Sequence, residues 1–351
     1  MINRPAVVDI FCGIGGLTHG FHCEEFDVIA GFDSDETCRF AYESNNGDAQ
    51  FYAKRVEDVT SEEITLLWPQ GRTKVLVGCA PCQPFSSHAN KIKSKDESKW
   101  GLLYEFVRLI EGTLPDVVSM ENVPRLVHFK EKPVLADFIS RLKGAGYSVS
   151  WTTASCHDFG LPQRRERLVL FASRHGEIEP PVPEANTPRR TVRDAIHHLP
   201  EIAAGEVAGD PLHTTQALSK INLERIRESK PGRTWRDWPE KLQLPCHRKY
   251  SGRFYSSVYG RMSWDEPAPT ITTQFFNYGA GRFGHPEQHR ATTVREAALL
   301  QTFPEDYRFL AQGDRVNFAK LGRQIGNAVP VDLGRIVAKT LRKHLEQHGL
   351  A

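Results

Sequence analysis

The stretch GCAPCQPFSSHAN, residues 78–90, holds two thiols three positions apart, and the second, Cys82, stands between Pro81 and Pro84. Such spacing suits a redox pair, half of a zinc site, or a loop nucleophile with an incidental neighbour. Zinc calls for a second pair at matching spacing, and Cys12, Cys23, Cys38, Cys156 and Cys246 supply none, so no metal is expected. A redox pair wants its reactive thiol at a helix start, whereas Pro84 and a polar stretch to Gly101 follow Cys82. Both are weaker readings than a nucleophile at the end of a strand, in a loop where functional residues concentrate.

A nucleophilic thiol needs acid–base and charge-stabilising company. MENV ends an apolar run with Glu121 and Asn122, and a buried carboxylate there is costly without a partner or a task. LPQRRERLVLF sets Arg164, Arg165, Glu166 and Arg167 before another apolar run. Strand alternation sends Arg165 and Arg167 to one face and Glu166 to the other. At the N-terminal end, VVDIFCGIGGLTHGF reads as a strand, a glycine turn and a helix start, which lets backbone N–H groups approach a ligand closely. The dinucleotide fingerprint fails there because Thr18 occupies the third glycine place, which disfavours a nicotinamide. Asp33 in GFDSDE falls where a carboxylate accepts ribose hydroxyls, and Asp58 can receive an adenine amino group.

The elements that must position these groups are short and apolar. Runs 6–11, 26–32, 74–79, 116–123, 147–154 and 167–172 read as strands, and segments 36–45, 102–114 and 134–143 as helices. Near-continuous apolar strands separated by helices predict a parallel sheet covered on both faces. After about residue 175 the chain turns rich in proline and charge, and helical periodicity returns only in TTVREAALLQTF and VDLGRIVAKTLRKHLEQ. That change marks a boundary and a second, irregular domain. The formal charge of the 351 residues is only +2, yet residues 220–253 hold ten Lys or Arg against four Asp or Glu, a local +6. No run approaches the ~18 apolar residues of a membrane span, and no signal-peptide pattern opens the chain, so a cytoplasmic protein is expected. Seven cysteines at irregular spacing argue for reduced thiols.

In this order, DIFCGIGG, PCQPFS, ENV, QRRER, REAALLQTFP and QIGNAVP resemble the DNA (cytosine-5) methyltransferase family from end to end of the chain. The resemblance implies a Rossmann-like α/β fold carrying a smaller, irregular target-recognition domain. The expected division is a catalytic and cofactor-binding domain at 1–178, target recognition at 179–318, and a segment returning to the catalytic domain at 319–351. S-adenosylmethionine is the implied cofactor. Its implied pocket comprises Asp9, Phe11, Gly13, Ile14, Gly15, Gly16, Asp33, Ser34, Asp58, Val59, Pro81, Leu102, Asn327 and Val329.

The implied chemistry is attack of Cys82 on carbon 6 of a flipped-out cytosine, which makes carbon 5 nucleophilic enough to take a methyl group. A free thiol is only about 10% ionised at pH 7.5, so nearby cations help. By resemblance Glu121 serves the ring's N3 and Arg165 contacts the base; Arg167 orients Glu121 or Arg165, and Cys79 is a structural neighbour. The lysine-bearing stretch from Ser86 to Gly101 suits a loop closing over phosphates. Expected contacts to double-stranded DNA are Gln83, Ser86 and Lys91, with Arg233, Arg236 and Arg253 taken from the basic segment, since the stretch 180–290 matches nothing in the family that can be carried over. The expected protein is a monomer in a bacterium or archaeon, the modification enzyme of a restriction-modification system with a cognate endonuclease. An RNA cytosine methyltransferase and a silent DNA-binding regulator stand as alternatives; the basic insert favours DNA, and intact Cys82, Glu121 and Arg165 argue against a silent fold.

Overall fold

In a computed structural model that describes residues 4–81, 98–128, 133–250, 252 and 255–351, all six apolar runs become strands of one sheet. The strands are β1 Ala6–Ile10, β2 Asp27–Asp33, β3 Gln50–Ala53, β4 Lys74–Gly78, β5 Val117–Asn122, β6 Ser148–Ser155 and β7 Glu166–Ser173. Their order across the sheet is β3-β2-β1-β4-β5-β7-β6. Every residue of β1 and β5 is buried, as apolar strands covered on both faces require. Between strands run α1 Gly16–Cys23, α2 Arg39–Glu43, α3 Ser61–Leu67, α4 Ser98–Thr113 and α5 Val134–Gly144. Val8, Ile10, Leu76, Met120, Phe106 and Phe138 join sheet and helices in one apolar core.

The expected parallel sheet needs one correction. β1 to β5 run parallel, but β7 is antiparallel to both β5 and β6. β6 and β7 pair along their whole length, from Ser148 opposite Ser173 to Ser155 opposite Glu166. An antiparallel partner needs no helical crossover, and only the 3-10 turn Cys156–Phe159 and a two-residue strand stand between them. Among the strands of the sheet and the helices between them, two elements were not anticipated: β3, four residues with only Phe51 buried, and α3, whose start is set by a Thr60–Glu63 capping box. α4 also begins at Ser98, four residues earlier than the anticipated 102.

The chain forms two compact units, one of residues 1–155, 166–183 and 329–351, the other of 156–165 and 184–328. In the first, the C-terminal helix Val331–Gln347 packs on α1, with Arg335 Nε 2.9 Å from Glu24 Oε1. No described helix is long and apolar enough to cross a membrane.

The second unit has little regular structure. Its longest described helices are Lys220–Glu228 and Phe318–Asn327, and its sheet is the two-residue pairing of Gln163–Arg164 with Ala268–Pro269. An aromatic core of Trp235, Trp238 and Tyr278 packs with Ile226 and Leu242, and Ser229 Oγ accepts from Trp238 Nε1 at 2.8 Å and bonds Tyr278 Oη at 2.7 Å. Buried cations supply the rest. Arg261 donates to the carbonyls of Ile226, His285, Pro286 and Glu287. Arg290 forks onto Glu296, Nη1 to Oε2 at 2.8 Å and Nη2 to Oε1 at 2.6 Å, both side chains 1% exposed. Glu296 also closes a capping box with Thr293 at the start of helix Val294–Leu300.

Burial alone pushes the Glu296 carboxyl up, but the charge and hydrogen bonds of Arg290, with His285 and the Thr293 N–H, hold it down at about 2. Its stabilisation is therefore complete above the unfolded value of 4.5 and is lost as pH falls towards 2. Glu296→Gln leaves Arg290 buried without its counter-charge and should destabilise the protein by about 3–5 kcal/mol at neutral pH. Urea unfolding at stepped pH should show the wild type's advantage constant above about pH 4.5 and shrinking below it; an equal deficit at all pH values would mean the carboxylate charge does not matter.

Candidate active site

The strand order reverses direction between β1 and β4, and ligands of open α/β sheets bind beyond the carboxyl ends of strands at such a point. β1 runs there into Phe11, at φ 64, then Gly13 at φ 52 and Gly15 at φ 86, before α1 starts at Gly16. Glycine adopts this left-handed backbone freely, which explains its place at positions 13 and 15. Phe11 does so at a cost of about 1–2 kcal/mol. Its ring meets Phe106 edge-on, with centroids 6.5 Å apart.

Asp33, at the end of β2, clamps this turn: Oδ2 accepts the Gly13 N–H at 2.9 Å and Oδ1 the Asp35 N–H at 2.8 Å. Burial raises its pKa, against the pull of those N–H groups. Asp9 is 1% exposed and accepts from the Thr18 hydroxyl at 2.7 Å. Burial, opposed by Thr18 and reinforced by the charge of Asp33, pushes its carboxyl up to about 7. Ile14, Gly15, Gly16 and Val59 are buried and Leu102 is half-buried. Ser34, Asp58 and Pro81 are exposed, and Phe32 stacks on Tyr52 at 4.9 Å beside them at the ends of β2 and β3. A left-handed glycine turn where the backbone is free of side chains, a carboxylate at the end of β2 and the exposed Ser34 and Asp58 fit a nucleoside-bearing cofactor.

At the same edge, β4 leads towards Cys82. The Cys79 N–H donates to Ile10 O at 3.3 Å, and Asn122 Nδ2 donates to Ala80 O at 3.2 Å, tying this exit to the end of β5. Cys82, Gln83, Ser86, Lys91 and the proposed loop as far as residue 97 lie outside the described residues, as does Arg253.

Glu121 is 4% exposed. Its Oε1 lies 2.7 Å from Arg167 Nε, an ion pair set off the N–H axis, and Oε2 accepts the Cys79 thiol at 2.8 Å. The register explains the pair: Asn122 is opposite Leu168 in the antiparallel β5–β7 ladder, so Arg167 arrives level with the end of β5. Had β7 run parallel, Arg167 would stand at the other edge. Cys79, read from sequence as a neighbour of the nucleophile, thus touches the acid.

Arg165 belongs to the second unit, where it is 3% exposed and donates from Nη1 to Ile271 O and from Nη2 to Ala328 O, both at 3.2 Å. Gln163 and Gln301, also fully buried, complete the surroundings of those carbonyls. Sequence reasoning quoted both glutamines inside QRRER and REAALLQTFP without giving them a role. The signal was available: each stands beside apolar residues where a primary amide must find partners. Asn327 is the exposed last residue of helix Phe318–Asn327, and Val329, in the first unit, is 5% exposed.

The basic segment divides. Arg225 is an interior brace, donating to Leu242 O at 2.9 Å with its guanidinium 5.5 Å from the Trp238 and Tyr259 rings. Arg233, 3.8 Å from Asp237, and Arg236, over the Trp235 ring at 6.0 Å, are exposed. Arg236, Gln243, His247 and Arg248 line a concavity of about 490 Å³ that holds none of the proposed catalytic residues.

The C-5 cytosine-specific DNA methylase family matches residues 6–343. The chain is similar to Type II methylase M.HgiDII of Herpetosiphon aurantiacus, 52% identical over 97% of this chain and 96% of that protein. It is 32% identical to Type II methyltransferase M1.HphI of Haemophilus parahaemolyticus, over 96% of this chain and 86% of that one. Among solved structures, the Dnmt2 methyltransferase of S. pombe shares the fold, with TM-score 0.67 and 16% identity over 99% of this chain and all of that one. A sulfur and a buried carboxylate–guanidinium pair at the carboxyl ends of β4 and β5 are thus set in a sequence that matches one family almost throughout, and the chain belongs to the C-5 cytosine-specific DNA methylases.

Proposed function

We propose that this DNA (cytosine-5) methyltransferase acts through a covalent bond from Cys82 to carbon 6 of a flipped-out cytosine within a specific duplex sequence. We further propose that it is the modification enzyme of a restriction-modification system. The observation that carries the chemistry is Glu121, a buried carboxylate held by Arg167 and Cys79 on the edge from which the chain runs into Cys82. The Type II names of the relatives support the biological setting and a cognate endonuclease.

S-adenosylmethionine supplies an electrophilic methyl group; Asp33, Ser34 and Asp58 offer polar contacts to its ribose and adenine, and the Gly13–Gly15 turn its backbone. Thiolate attack on carbon 6 drives charge towards the ring's N3. Glu121, entering the step with a proton taken up from solvent, gives it to N3 and becomes the carboxylate whose other oxygen Arg167 holds in place. Carbon 5 would then take the methyl group as its bond to the sulfonium sulfur breaks, leaving a neutral thioether. Loss of its proton lets the Cys82–carbon 6 bond break and the aromatic ring return. The resemblance gives Arg165 to the base, but its guanidinium donates to two carbonyls, so the geometry favours Arg167 as the group beside Glu121 and Arg165 as its anchor. Flipping the base costs a few kcal/mol, offset by contacts to DNA that we assign to residues 179–318 and to Gln83, Ser86 and Lys91. The exposed cations of the second unit support that assignment.

Duplex DNA with 5-fluorocytosine at the target blocks the final elimination, so mass spectrometry should find DNA bonded to Cys82. Cys82→Ser should lose both adduct and turnover, and an adduct on Cys79 instead would overturn the assignment. Asp33→Ala should weaken S-adenosylmethionine binding by roughly ten- to hundredfold, since each hydrogen bond to the charged group is worth about 1.5–3 kcal/mol. Calorimetry on a variant that still melts cooperatively checks this; unchanged affinity would move the cofactor elsewhere. Each phosphate contact contributes about −0.9 to the slope of log affinity against log salt. Replacing Arg233 and Arg236 with glutamine should flatten the slope measured by fluorescence anisotropy, and an unaltered slope would place the DNA on another face.

A further inference from the structure

We propose that Gln163 and Gln301 are positioning residues for methyl transfer, acting through Arg165 to hold the backbone from which Arg167 projects. The inference rests on the catalytic reading above.

Both glutamines are 0% exposed, and their amide groups are fully used. Gln163 Oε1 accepts the Ile271 N–H at 3.0 Å, and its Nε2 donates to Leu300 O at 3.0 Å and Gln301 Oε1 at 2.8 Å. Gln301 Nε2 donates in turn to Ile325 O at 2.6 Å and Ala328 O at 3.2 Å. Arg165 closes the circuit by donating to the carbonyls of Ile271 and Ala328, while its own carbonyl accepts the Cys156 N–H at 2.8 Å. One network therefore gathers LPQRR, TITTQ, LLQTFP and QIGNA. Gly326 permits it, because a Cβ there would lie 2.4 Å from the main chain of Thr272 and Thr273.

Two buried amides and a guanidinium are a poor way merely to fill space, since apolar side chains of equal volume stabilise as well or better. What the network adds is direction: each donor fixes the aim of one carbonyl. Cys156, Arg165 and Ala328 are three of the four residues at which the chain enters or leaves the second unit, Glu184 being the fourth. The network holds these three ends in one frame. Two residues beyond Arg165 stands Arg167, the counter-charge of Glu121. Loosening the frame slackens the lead from Arg165 into the start of β7, and with it the Glu121 pair, while Gln163 and Gln301, both 0% exposed, touch no ligand themselves.

The test uses the full-length protein with duplex substrate and S-adenosylmethionine. Gln163→Met and Gln301→Met keep volume and remove the polar contacts. Each should lower kcat by about ten- to hundredfold while KM for DNA stays within about threefold, and the double variant should be no worse than the poorer single one. If a methionine variant does not fold, Arg165→Lys, which retains the charge but reaches only one of the two carbonyls, should give the same kcat loss at unchanged KM. Unchanged kcat in folded variants, or additive losses that follow melting temperature, would overturn the proposal. The 5-fluorocytosine adduct on wild-type protein reports separately on Cys82, so a failed nucleophile assignment is distinguishable from failed positioning.

Discussion

A carboxylate out of water is several kcal/mol too costly to keep unless its oxygens are answered, and Glu121 is such a group. Its position on β5 is dictated by the apolar run that makes β5 a central strand. The partners must therefore come to it. One arrives from β4, where Cys79 sits one residue past the strand; the other arrives because β7 runs antiparallel and delivers Arg167 to the end of β5. The reversed strand is thus a condition of the site. The same edge carries the glycine turn after β1, so that turn, Glu121 and the approach to Cys82 share one rim of one sheet.

The second unit solves a different problem with related chemistry. With few ladders to absorb main-chain carbonyls, it uses cations. Arg225, Arg261 and Arg165 each donate to carbonyls in the interior, and Arg290 neutralises Glu296. A basic composition here serves folding as well as any outward face. Buried pairs of this kind are weak sources of net stability but costly to break, which makes them suited to defining one arrangement of irregular chain.

Most of the sheet was legible because buried strands must be apolar, and six runs were long enough to stand out. β3 was not, since only Phe51 of its four residues is buried. The site was legible in its parts: the glycine turn, Glu121 and the arginine run each carry a local signature. Which arginine meets Glu121 was not, because alternation places Arg165 and Arg167 on one face alike. Their separation comes from the division of the chain between residues 165 and 166, which gives Arg165 to carbonyls far away in sequence and Arg167 to β7.

The amino-acid sequence by itself determined the motifs and their order, the alternation of strand and helix, and the residue types that chemistry on a pyrimidine requires, since these follow from local propensity and from the reactivity of single side chains. Strand direction, the partners of Glu121 and the hydrogen bonds of Gln163 and Gln301 were decided only by the tertiary structure. The reason is that a hydrogen bond or ion pair between residues tens to more than a hundred positions apart is set by register and closure of the chain, and no window of sequence contains both of its ends.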